Sequence, residues 1–105
     1  MIIDRDKKCI ISGFDPKECE AAHIIPYAIC KTYDRSNGIL LNLCLHKLFD
    51  DYIFSINPNT FKIEIKNNIN NLSICNYKDK IVKIPRECIN NMMQHYKTFC
   101  NQNNI

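Results

Sequence analysis

CEAAHIIPYA (residues 19–28), YDRSNGILL (33–41) and LHKLFD (45–50) are the three runs that decide how this chain is read. Cys19 to Ile25 is mostly apolar and predicts a strand, stopped by Pro26. Tyr27 to Ser36 is a polar connection carrying Lys31, Asp34 and Arg35. Asn37-Gly38 signals a turn, and Ile39-Leu40-Leu41 predicts a second strand. Leu43 to Asp51 has helical character, with Leu45, Leu48 and Phe49 at i, i+3 and i+4. The order is therefore strand, loop, strand, helix. His23 sits on the first strand, Asn37 at the entry to the second, and His46 on the helix.

Outside these runs the punctuation is plainer. Cys9-Ile10-Ile11 predicts a short strand ended by Ser12-Gly13, and Asp15-Pro16 a turn. Tyr52 to Ile56 and Phe61 to Ile65 alternate apolar and polar residues around Asn57-Pro58-Asn59-Thr60, which predicts a hairpin. After an Asn-rich loop, Ile81 to Ile84 predicts another strand. Pro85 then precedes a closing helix over Glu87 to Phe99. Met92, Met93, Tyr96 and Phe99 form a stripe on that helix which reads as core. His95 reads as a satisfied, non-catalytic histidine. Residues 101–105 are polar and are expected to fray. The fold class expected is α+β, in one domain spanning residues 1–105 with its defining motif in 19–51.

Composition narrows the function classes. With 46% hydrophobic and 24% charged residues the chain is globular, not disordered. A net charge of +3 permits contact with a polyanion without requiring it. No apolar stretch approaches membrane-spanning length. Met1-Ile2-Ile3 runs at once into Asp4-Arg5-Asp6, leaving no apolar core for a signal peptide, so an intracellular location (cytoplasm or nucleus) is expected. The seven cysteines have irregular spacing and include no C-x-x-C pair, which argues against a zinc ribbon or knuckle. Free thiols are expected in that compartment. A zinc site using Cys9 and Cys19 with later ligands is the alternative.

Asn37 precedes His46 by nine residues, and His46 follows His23 by twenty-three. This spacing and element order resemble the HNH endonuclease (ββα-metal) family. The wording C-x-x-[ST]-G, A-A-H-I-x-P, N-G-I-L-L and L-H-x-L-F-D resembles its subgroup often attached to restriction enzymes. The resemblance implies a ββα-metal core, here with an added β-hairpin and a C-terminal helix. It implies metal-dependent hydrolysis of DNA phosphodiester bonds. His23 would be the general base, a role that suits an imidazole, whose reference pKa is about 6.5. His46 would bind one divalent metal ion, most simply Mg²⁺, with Mn²⁺ and Zn²⁺ also compatible. Asp50, four residues on and on the same helical face, is a second ligand candidate.

Asn37 would tie the loop to the neighbouring strand rather than take part in bond breaking. Asn-Gly is also an ordinary turn. Arg35, Lys31 and Lys47 are candidate phosphate contacts, together with Lys7-Lys8. The chain departs from the common family pattern at Ala22, where many members carry an acidic ligand. Asp50, Asp51 or Glu20 would have to compensate. Glu20 ranks last, because three residues along a regular strand put it on the face opposite His23.

The partner implied is DNA. A chain this short leaves little room for base readout, so low sequence specificity, or specificity from a homodimer or a partner protein, is expected. The alternative function is a catalytically weak nucleic-acid-binding module acting with a partner protein. A third reading is a structural protein whose metal only stabilises folding.

Overall fold

A computed structural model describes residues 2–26, 28–29 and 34–104. Its centre is an antiparallel pair, β1 (Cys19–His23) and β2 (Gly38–Asn42), in the register Cys19↔Asn42 through His23↔Gly38. All five residues of β2 are buried, because both faces of this pair are covered. The pleat sends Ala22, Ile39 and Leu41 to one side. There they join the core with Leu45 and Phe49 of α2 (Leu43–Asp50). On the other side lies α1 (Ile2–Asp6), a five-residue helix absent from the sequence expectation. Ile2 packs so closely on Gly38 that an added Cβ there would run into its Cδ1.

The β2–α2 junction has no linker. Asn42, the last residue of the strand, is also the helix N-cap, its Oδ1 accepting from Leu45 N at 3.0 Å. Its amide also donates to Ser12 Oγ at 2.8 Å. A second antiparallel pair, β3 (Phe54–Ile56) and β4 (Ile63–Ile65), follows. Their connection is fixed by Asn57, whose side chain accepts from Asn59 N at 2.9 Å. The closing helix α3 (Ile89–Asn103) buries Met92, His95 and Phe99 and packs against β3. The fold is thus mixed α+β, two small antiparallel sheets with three helices, as a ββα core with a hairpin and a C-terminal helix requires.

Several expectations need correcting. Cys9-Ile10-Ile11 is not a strand but a turn: Cys9 N donates to Phe14 O and Gly13 N to Cys9 O, with Gly13 at φ +77°. Ile10 N reaches across to Leu40 O. Ile81 to Ile84 makes a single bridge, Ile81 to Lys62, rather than a strand. β1 stops at His23, two residues earlier than expected. Residues 101–103, expected to fray, continue α3, and Asn103 donates to Tyr52 O at 3.2 Å. Each helix is followed by a left-handed residue that is not glycine: Lys7, Tyr52 and Asn104.

Candidate active site

His46 sits on α2, whose cap and apolar face (Leu45, Phe49) are set by β2 and the core. Both of its ring nitrogens are engaged. Nδ1 lies 2.9 Å from Glu20 Oε1 on β1, and Nε2 lies 3.2 Å from Asp50 Oδ2, one helical turn along. The imidazole side chain is 21% exposed, and the two carboxylates are more than half exposed, so the group faces solvent from one wall. One nitrogen of a neutral imidazole carries a hydrogen and the other a lone pair. With Nδ1–H given to Glu20, Nε2 carries the lone pair, 3.2 Å from Asp50 Oδ2 without a hydrogen bond between them.

Asp50 gathers the charges of the site. Its carboxyl is pushed above the ordinary carboxylate range chiefly by burial. The imidazoles of His46 and His23 pull it back down, and Asp51 and Glu20 push it up. His23 is the last residue of β1. It is half-buried and lines a recess of about 50 Å³ with Ala22, Asn37 and Gly38.

Asn37 is buried and grips the backbone just beyond His23. Its Oδ1 accepts from Ile25 N at 2.8 Å, its Nδ2 donates to Ile25 O at 3.1 Å, and its own carbonyl accepts from Ile24 N at 3.1 Å. Arg35 is exposed and lies 3.5 Å from Glu87. Lys47 is exposed on α2, and Lys7 and Lys8 are exposed beyond α1. Lys31 lies outside the described residues.

Residues 9–57 match the HNH endonuclease family model. No curated protein matches the chain. The HNH segment covers just under half of the chain and takes in β1, β2, α2 and β3, with His23, Asn37, His46 and Asp50 inside it. It is this part of the chain that is similar to HNH endonucleases.

The donor set of the HNH segment fits a sparsely ligated ion. His46 Nε2 and Asp50 Oδ2 share one edge, while the Ala22 position offers only a buried methyl. Among the described residues no three His, Cys, Asp or Glu side chains converge as a metal cage.

Glu20, ranked last from the sequence, is a direct neighbour of His46. Glu20 shares the face of Ala22, which is the face α2 covers. The Cys9–Cys19 zinc alternative finds no support among the described residues: Cys9 Sγ accepts from Ser12 N, and Cys19 Sγ donates to Asp15 O.

Proposed function

We propose that this protein is a metal-dependent DNA endonuclease. The observation carrying the reading is the His46 ring held between Glu20 and Asp50, with Nε2 and Oδ2 3.2 Å apart. His46 and Asp50 would hold one divalent ion, which when bound supplies Lewis-acid stabilisation of charge on the phosphate and the leaving 3′ oxygen. His23 takes the proton from the attacking water as the new phosphorus–oxygen bond forms and the bond to the 3′ oxygen breaks. Glu20 accepts the Nδ1 hydrogen of His46, fixing the tautomer and ring orientation that leave Nε2 free to ligate. Asn37 holds the backbone after His23 and takes no proton. Arg35 and Lys47, with Lys31, meet phosphates.

Nicking of supercoiled plasmid in Mg²⁺ or Mn²⁺, with EDTA as control, tests this. His23→Ala is expected to lower the rate by 10²–10⁴-fold while Mn²⁺ binding persists. His46→Ala is expected to lower both. Undiminished cleavage by His23→Ala would overturn the assignment. The buried methyl of Ala22 favours a second reading, a binding module that recruits a partner to nucleic acid. Salt-sensitive DNA binding without cleavage in any divalent metal would select it.

A further inference from the structure

The α1 helix belongs to no part of the motif, yet one of its side chains makes more long-range polar contacts than any residue of the site. Arg5 Nη1 donates to the carbonyl of Arg35 at 2.6 Å, and Nη2 donates to the carbonyl of Gly38 at 2.6 Å. These carbonyls stand on either side of Asn37. The guanidinium is anchored by Asp6 through Nε–Oδ1 at 2.7 Å and Nη2–Oδ2 at 3.0 Å, and by Glu87 at 2.9 Å. Asp6 in turn accepts from Leu40 N at 2.9 Å, binding the anchor to β2 itself. The Arg5 side chain is 13% exposed and that of Asp6 2%, so the fork is desolvated on most sides. Beside it, Ile2 packs on Gly38, the register partner of His23.

The covalent spacing gives this its meaning. Asn37 clamps Ile24 and Ile25, the two residues after His23, through three hydrogen bonds. Asn37 can hold that backbone still only if its own peptide is still. Arg5 fixes the peptide on both flanks at once, which needs a planar fork with several donors and not a point charge. Glu87, already paired with Arg5, meets Arg35 at a longer 3.5 Å, which leaves the Arg35 guanidinium available to an incoming phosphate.

We propose that Arg5 is a positioning residue for His23, acting through the carbonyls of Arg35 and Gly38 and the Asn37 clamp. The catalytic part of this proposal rests on the endonuclease reading above, whereas the structural part does not. The test is Arg5→Lys, studied below its melting temperature. The expected result is a kcat for plasmid nicking lowered by between about tenfold and 10²-fold, the scale of a small misplacement of a reacting group. KM for DNA should stay within about twofold.

Native-state hydrogen exchange supplies a readout independent of cleavage. The Ile24 and Ile25 amides should lose protection in Arg5→Lys while the Leu45 amide, held by the Asn42 cap, keeps its own. Added guanidinium ion should restore part of the rate in Arg5→Ala. Should either Arg5 variant fail to fold, Asp6→Asn keeps the fork but loosens its anchor and should show the same selective loss of protection. Unchanged protection at Ile24 and Ile25 in a folded variant, or a kcat equal to wild type, overturns the proposal. If the wild-type protein cleaves no DNA, the exchange experiment still decides the positioning claim, so the two failures are distinct.

Discussion

The chemistry of His46 turns on which nitrogen carries the hydrogen, and Glu20 decides it. Glu20→Gln keeps the shape but can present an amide N–H toward Nδ1, favouring the wrong tautomer. The expected outcome is Mn²⁺ affinity 10–100-fold weaker by calorimetry, the usual effect of losing such a partner. A motif fixes the spacing of His23, His46 and Asp50, which makes them candidates, and the structure brings His46 and Asp50 together. Glu20 was not legible, because parity along one strand says which face a residue takes and nothing about what comes to lie on that face. His95 shows the converse. It reads as a satisfied histidine, and both ring nitrogens do have partners, yet it is no surface group. It is buried and stacked on Phe49 at 3.8 Å, with Nδ1 2.7 Å from Ser55 Oγ and Nε2 facing Phe49 O at 3.2 Å.

Burial pushes the His95 pKa down to about 4. The unfolded imidazole protonates near 6.5, so between these values the unfolded state binds the extra proton. Stability should be full above pH 6.5, fall as pH drops toward 4, and level off below. The contribution is about 3 kcal/mol. Urea denaturation at pH 7 and pH 5 checks this, and His95→Gln should flatten the difference.

Among elements, α2 is capped by a single residue, Asn42. Asn42→Ala removes the Leu45 N cap bond and the link to Ser12, and should destabilise the protein by about 1–2 kcal/mol in thermal or urea unfolding. The helix itself was legible to within a residue, because a 3.6-residue apolar period has few competing explanations. The Cys9 and Ile81 runs misled for one reason. Three or four apolar residues report burial, and burial is available to a turn as readily as to a strand. Cys9 and Ile11 are buried by a turn closed on Phe14, and Val82 and Ile84 by an irregular segment along β4. The α1 helix could not be read at all. Five residues are too few for periodicity, and what holds it, Arg5 on residues 35–38 and 87, lies far off in sequence.

At the scale of the whole molecule, a net charge of +3 is too small to announce a nucleic-acid surface. If Arg35, Lys47 and Lys31 each neutralise one phosphate, the logarithm of DNA affinity should fall against the logarithm of salt concentration with slope about −2.7. Lys47→Ala should reduce that slope by about 0.9 in fluorescence anisotropy titrations, uniformly across DNA sequences. Among the described residues no helix is long and apolar enough to cross a membrane.

The seamless joint at Asn42 has a consequence for how such a chain can vary. Each residue of an α-helix turns it by about 100°. One residue inserted between 42 and 46 would swing His46 away from Glu20, and one deleted would swing it the other way. Length changes should therefore be purged from this joint while the Asn-rich stretch around residues 66–71 tolerates them, since no strand register runs through it.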